Sequence, residues 1–376
     1  MQFRDLRKQY QMYKREIDGA IQSVLDDGVF IGGKEVLTLE KRLAEYVGVK
    51  HCISCANGTD ALSLVLMAWG VKENDAVFIP DFTFFATGEV VSFAGATPVF
   101  VDVDRDTFNI DPTKLEDAVI KSLAEGKLVP KVIIPVDLFG LPANYDEIER
   151  IAKNYNLLIL EDGAQGFGGS INGKMACSFG DAATTSFFPA KPLGCYGDGG
   201  AIFTDDDKLA NILHSLKIHG KGADKYDNVR IGMNSRLDTI QAAILNVKLT
   251  AFIKHELDDV NCVAQWYTSR LKEIVAVPII PEGFVSSFAQ YTIKLKNEKT
   301  RDSLQKTLAQ QCIPTMIYYK KPMHIQESFL DLKIDKSKLK VTNSLCDTVI
   351  SLPMHPYLSE IEVDIVCQTV IREAFA

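Results

Sequence analysis

Apolar residues recur at helical spacing from residue 4 to residue 25, and the polar turn Asp26-Asp27-Gly28 closes that predicted helix. Downstream the pattern alternates. Short apolar runs at 51–54, 76–80, 97–103, 132–136 and 157–160 predict strands, and between them segments 61–69, 112–123 and 146–154 carry the helical period. Strand and helix taking turns predict βαβ units, hence a mainly parallel sheet between helices, with ligands on the loops beyond the strands' carboxyl ends. Past Gly194 the pieces shorten to a strand at 199–204 and a helical stretch from 236 to about 257. That stretch leads into a second unit with strands at 288–295 and 314–319 and a closing helix at 360–373. The expected architecture is an α/β protein with a large domain over 1–249, including the N-terminal helix, and a smaller α/β domain over 250–376.

The length of 376 residues exceeds what one hydrophobic core usually fills, and 47% hydrophobic with 24% charged residues is an ordinary globular composition. With 41 Lys and Arg against 49 Asp and Glu, the formal charge is −8, which argues against nucleic acid or an anionic membrane as partner. The first 17 residues have no apolar signal core, and no run approaches the ~18 apolar residues of a membrane span, so a cytoplasmic protein is expected. The eight cysteines then read as reduced thiols.

Several chemistries fail on their motifs. Cys52-Ile53-Ser54-Cys55 has no second pair, and on a strand its odd separation sends the two thiols to opposite faces. His255-Glu256-Leu257-Asp258-Asp259 carries Asp where a zincin helix needs its second His, and reads as a solvated helix face. Gly168-Gly169-Ser170-Ile171-Asn172 lacks the closing glycine of a nucleophile elbow, and no glycine run precedes a Lys-Ser or Lys-Thr pair. No metal site is expected.

Three elements remain. Asp162 follows an apolar strand directly, at the end where such sheets place ligand groups, and a buried acid there needs a proton or a cation; a turn or helix cap is the plainer alternative. Lys191 lies 191 − 162 = 29 residues further on, among small and apolar residues and between Pro189 and Pro192. A dry, rigid place disfavours its ammonium form and frees an amine nucleophile for Schiff-base chemistry, whereas alone it could be an exposed loop lysine. Finally, Ser54-Cys55-Ala56-Asn57-Gly58-Thr59 turns a strand into a helix start, whose free N–H groups make either an anion site or a plain N-cap. Gly58 would let a ligand oxygen approach, and Thr59 and Ser186 have hydroxyls to add. A phosphate cradle, an acid for a ring nitrogen and an activated lysine are together what pyridoxal 5'-phosphate requires. In the second unit, Tyr318, Tyr319, Lys320, Lys321 and His324 combine aromatic faces with cations suited to a sugar ring and a diphosphate. Arg230 is a candidate second anion contact, or else a solvated charge.

Gly58-Thr59-Asp60-Ala61-Leu62, Glu161-Asp162-Gly163-Ala164-Gln165, Ser186-Phe187-Phe188-Pro189-Ala190-Lys191 and Gly232-Met233-Asn234-Ser235-Arg236-Leu237-Asp238 resemble, in order, the signatures of DegT/StrS-type nucleotide-sugar aminotransferases. The resemblance implies a fold-type I pyridoxal-phosphate homodimer that moves an amino group, usually from glutamate, to a keto sugar on a nucleoside diphosphate. It further implies that Thr59 and Ser186 touch the phosphate, Phe84 stacks on the pyridine ring, Gln165 bonds the 3' oxygen, and Asn234 reaches the partner's phosphate. Taken by themselves, Phe84 is a core aromatic and Asn234 a turn residue. The context of Lys191 is most similar to the subgroup acting on UDP-linked 3-keto N-acetylated sugars of the uronate type, used for surface polysaccharides. The resemblance leaves dTDP-linked keto-6-deoxyhexoses and a non-catalytic regulator as alternatives. The related sugar dehydratases carry His where this chain has Lys191. Two positions depart from the pattern: Gly163 stands where Ala or Cys is commoner, and Tyr318 where relatives acting on the uronate carry His.

Overall fold

The fold is that of a computed structural model describing residues 1–224, 226–332 and 334–374. Among the described residues twelve strands form in chain order: β1 His51–Cys55, β2 Asp75–Pro80, β3 Thr97–Val101, β4 Val129–Ile133, β5 Leu158–Asp162, β6 Ser170–Ile171, β7 Lys174–Met175, β8 Ala182–Ser186, β9 Gly200–Thr204, β10 Phe284–Val285, β11 Tyr291–Lys294 and β12 Val349–Leu352. Seven of them make the central sheet, in the order β1-β9-β8-β5-β4-β2-β3. Only β9 runs against the rest, so β1, β2, β5 and β8 present their carboxyl ends at one edge. That edge is where ligands bind in such sheets.

Strand side chains alternate between two packed layers, as a doubly covered sheet demands. On β2, Val77 and Ile79 enter a core shared with the helix Gly58–Ala68, while Ala76 and Phe78 enter the opposite one. Cys52 and Cys55 divide the same way between two cores, as their spacing requires. The first five helices are α1 Leu6–Met12, α2 Lys14–Asp27, α3 Lys34–Val47, α4 Gly58–Ala68 and α5 Ala86–Phe93. The expected single N-terminal helix is broken at Tyr13 and ends at Gly28 with φ 66°, a left-handed cap suited to glycine.

A second core forms around β11 and β12, with Tyr267, Tyr291, Ile293, Leu304, Ile350 and Val366 at its centre. One helical run joins the two cores: Thr239–Ala251, a π-turn Phe252–Glu256, then Leu257–Leu271. Leu249 and Phe252 pack on the sheet side and Val260 onward on the other, which is why we propose to divide the chain near residue 250. The helix therefore runs well past the predicted stop at 257. The acidic segment read as a solvated face is no stop, because Glu256 is buried and accepts from Gln9 Nε2 at 3.2 Å and from the Tyr357 hydroxyl.

The predicted strand at 314–319 does not form; only Met316 pairs, with Ser351. The partner of β11 is instead β12, a fully buried four-residue run whose Ser351 masks its apolar signal. Segment 314–319 is thereby left free to line the large cleft.

Candidate active site

The cleft at the carboxyl edge has a volume of about 870 Å³ and is walled by residues from both sides of the division near residue 250. At its sheet end, Asp162 is buried. Its Oδ2 accepts from Thr87 Oγ1 at 2.9 Å, and Oδ1 accepts from the N–H of Ala164 at 3.2 Å. Burial raises its carboxyl pKa, while Thr87 and the charge of Lys191 pull the other way.

Lys191 sits on the loop after β8, whose turn is closed by its own N–H donating to the carbonyl of Phe188 at 2.9 Å. Burial pushes its pKa down. Asp162 opposes that shift and Arg4 reinforces it. The loop is tied from below: Arg4 Nη2 donates to the carbonyl of Pro192 at 3.1 Å, and buried Lys248 donates to the carbonyl of Gly194.

Opposite, Asn57 caps α4 by accepting from the N–H of Asp60 at 2.7 Å, which leaves the first-turn N–H groups of Gly58 and Thr59 facing the cleft end. A Cβ on Gly58 would fall 2.8 Å from Cβ of Ser186, so the missing side chain brings β8 and its serine hydroxyl against the helix start. This close approach is to the protein's own serine. Phe84, on the loop after β2, exposes 56% of its surface and walls the cleft. Gln165 is held between the N–H of Phe139, accepted at 2.8 Å, and the hydroxyl of Tyr319, to which it donates at 3.2 Å.

Residues 11–371 match the DegT/DnrJ/EryC1/StrS aminotransferase family. The chain belongs to that family. It is 46% identical over 368 residues, 98% of both chains, to the UDP-2-acetamido-2-deoxy-3-oxo-D-glucuronate aminotransferase of Pseudomonas aeruginosa. To the UDP-N-acetyl-3-dehydro-alpha-D-glucosamine 3-aminotransferase of Acidithiobacillus ferrooxidans it is 38% identical, covering 98% of this chain and 96% of that one. Among solved structures, a DegT DnrJ EryC1 StrS aminotransferase from Brucella abortus superposes with a TM-score of 0.96 at 49% identity, over 98% of both chains. S. venezuelae DesV, solved in complex with a ketimine intermediate, gives 0.93 at 31% identity over 100% of this chain and 98% of that one.

Tyr318, Tyr319 and Lys321 line the cleft from the C-terminal part of the chain, joined by Met323 and Gln326. Lys320 does not line it. His324, expected among the substrate contacts, is buried away from it against Asp81, because Asp81 is the nearer and charged partner. Arg230 and Asn234 are exposed and lie outside this chain's own cleft. Thr87 was missed by sequence reasoning. Its signal was weak: a threonine in the first turn of a helix that follows a strand's carboxyl end.

Proposed function

We propose that this chain, in its family of aminotransferases, moves an amino group from glutamate to the 3-keto group of a UDP-linked N-acetylated hexose or hexuronate, with pyridoxal 5'-phosphate as cofactor. The observation that carries this reading is the convergence of Asp162, Lys191, Ser186 and the N-terminus of α4 on one cleft. The set fits the cofactor: a buried acid held by Thr87, an amine of lowered basicity, and an anion cradle of backbone N–H groups and hydroxyls. When bound, pyridoxal phosphate supplies an aldehyde that condenses with amines and a ring that takes up electrons from the donor's α-carbon.

The residues then divide the work. Gly58, Thr59 and Ser186 bind the phosphate. Asp162 holds the proton of the ring nitrogen, with Thr87 fixing the orientation of its carboxylate. Lys191 Nζ would hold the cofactor and, as a free amine, would carry the proton to and from the donor's carbon. Phe84 covers the ring face and Gln165, itself fixed by Phe139, bonds the ring oxygen. Tyr318, Tyr319 and Lys321 take the nucleotide sugar.

The enzyme works as a homodimer with shared sites. Asn234 and Arg230 belong to an exposed stretch in which Ile231 is 88% and Val229 54% exposed, and the half-exposed Phe30 and Ile31 lie where Ile31 pairs with Asp238. A surface of that kind is suited to a second copy. We place the reaction in the cytoplasm, in surface polysaccharide synthesis. No helix among the described residues is long and apolar enough to cross a membrane.

Incubation with glutamate and a panel of UDP- and dTDP-linked keto sugars, read by product mass, tests the reading. An aminated UDP-linked 3-keto sugar is expected. Amination of dTDP-linked substrates alone would overturn the nucleotide assignment, and no amination of any panel member the reaction class. Borohydride reduction and peptide mapping should place the cofactor on Lys191; label on another lysine refutes that role.

A further inference from the structure

The wall of the cleft formed by residues 318–326 comes from the C-terminal third of the chain, yet its anchor is on the central sheet. Asp81 is the first residue after β2, and its N–H donates to the carbonyl of Val101 at 2.9 Å, so its backbone is part of the sheet's edge. Three bonds leave it for the wall. Oδ2 faces Nδ1 of His324 at 2.6 Å, Oδ1 accepts from the N–H of His324 at 2.8 Å, and the carbonyl accepts from the N–H of Met323 at 3.0 Å. Both side chains are essentially out of solvent, with exposures of 1% and 0%.

The residues on either side of this anchor are the ones that line the cleft: Tyr318, Tyr319 and Lys321 before it, Met323 within it, Gln326 after it. Gln326 is folded back on the same turn, its N–H donating to Met323 and its Nε2 to the carbonyl of Lys321 at 3.2 Å. No bond from His324 runs to Asp162, Lys191, Ser186 or the start of α4. Apart from the bond from Gln165 Nε2 to the hydroxyl of Tyr319, the wall and the cofactor cradle are thus tied to the sheet by separate connections.

We propose that Asp81 and His324 are positioning residues for the nucleotide-sugar wall: they set where Tyr318 to Gln326 stand and govern the sugar half of the reaction, leaving the glutamate half to the cradle. This rests on the aminotransferase reading above. The ligand class it concerns is a nucleoside diphosphate sugar.

The test uses the cofactor-loaded full chain and two variants. His324→Leu removes the ring contact. His324→Asn keeps an N–H donor near the position of Nδ1. For each, three quantities are measured: cofactor retained after dialysis, the rate at which glutamate alone changes the cofactor's visible absorbance, and the affinity for UDP-N-acetylglucosamine, a probe without a keto group, by calorimetry. His324→Leu is expected to weaken the probe by roughly tenfold to a hundredfold, as displacement of a binding wall by about 1 Å does, with cofactor retention and glutamate rate near wild type. His324→Asn should recover most of the probe affinity. Unchanged probe binding in His324→Leu, a parallel loss of glutamate rate and cofactor, or an Asn variant no better than Leu overturns the proposal, as does a wild-type protein that does not bind the probe. Should His324→Leu fail to fold, Asp81→Asn, which retains the Oδ1 acceptor, is put through the same measurements with the same expectations. A wild type that ignores glutamate counts against the aminotransferase reading, and the probe arm still decides the role of the pair.

Discussion

Thr87 Oγ1 donates to Asp162 Oδ2 at 2.9 Å, across 75 residues of chain, and ties the first turn of α5 to the carboxyl end of β5. This bond favours the ionised carboxylate that burial opposes. An Asp162 left to its burial alone would tend to keep its own proton, which is the state least able to hold a protonated ring nitrogen.

Asp162→Asn is accordingly expected to cut kcat by at least about a hundredfold, on the scale of losing a preorganised charge from a site. Thr87→Val, which removes one hydrogen bond to a charged oxygen valued at about 1.5–3 kcal/mol, should cost roughly tenfold or more. Cofactor retention should be little changed in both, because the proposed phosphate contacts lie elsewhere. Steady-state turnover together with cofactor content separates the two effects, and near wild-type turnover in Asp162→Asn would show that the ring lies elsewhere.

Behind Asp162, two more carboxyl groups share a dry site. Glu161 accepts from the N–H groups of Cys177 and Phe179, and Asp137 accepts from the N–H of Ala143 and the hydroxyl of Tyr145. Burial raises both pKa values, Asp137 to about 6; the interaction with Glu161 opposes the rise at Asp137, whereas Asp137 adds to it at Glu161. A carboxyl raised in the fold stabilises below its unfolded pKa, near 3.8 for Asp137, and that contribution is lost as pH climbs through the folded value. A shift of this size corresponds to something on the order of 3 kcal/mol. Thermal unfolding at several pH values should therefore show wild type losing stability from about pH 4 to beyond 6. Glu161→Gln, which removes one of the two raised carboxyls, should be less stable at low pH but flatter across that window. Parallel slopes for the two proteins would rule out a raised Glu161.

Lys248 acts with the opposite sign. It is 2% exposed, donates to the carbonyl of Gly194, and lies 5.0 Å from the ring centre of Tyr196. Burial and Arg4 pull its pKa down to about 7, against Glu256 and Cys195, which raise it. Between that value and its ordinary 10.5 the unfolded chain binds more protons, so stability should rise with pH by up to about 1.4 kcal/mol per unit from this group. Lys248→Met should abolish that rise above pH 7. It should also loosen the loop carrying Lys191, seen as faster cofactor loss on dialysis. A variant that keeps the wild-type slope would show that the charge is not buried in the fold.

The parts of the site that the sequence made legible share one property: each begins where a buried strand ends. Asp162 closes β5, Gly58 and Thr59 follow β1 after two intervening residues, and the Lys191 loop follows β8, so an apolar run breaking into polar or small residues marks them. What was hidden depends on contacts between distant segments. Nothing near Thr87 signals a partner 75 residues away, and His324 reads as a free cation until Asp81, 243 residues earlier, is placed beside it. Glu256 looked solvated because its neighbours in sequence are polar; its burial comes from Gln9 and Tyr357, brought in by α1 and the C-terminal unit. Element boundaries failed for a related reason, since the π-turn at Phe252–Glu256 lets one helix run through an acidic segment that resembles a stop.

The shared site makes the sharpest demand. Asn234 is exposed on its own subunit and outside that subunit's cleft, with Ile218 as its bridge partner, so if it serves a phosphate it serves the partner's. Lys191 belongs to the cleft of its own chain. Inactive Lys191→Ala and an Asn234→Ala protein severely defective in cofactor binding can therefore be mixed and their subunits allowed to exchange. In a mixed dimer, one site draws its lysine and its asparagine from the two substituted positions and carries both defects. The other draws both residues from unsubstituted positions and carries neither. Activity should reappear at up to about half the native level per mixed dimer if the two sites act independently. If Asn234 acted within its own subunit, each site would keep one defect and mixing would restore nothing. The measurement needs only turnover before and after exchange, with each parent alone as its control, and a mixture no more active than its parents would refute the shared-site reading.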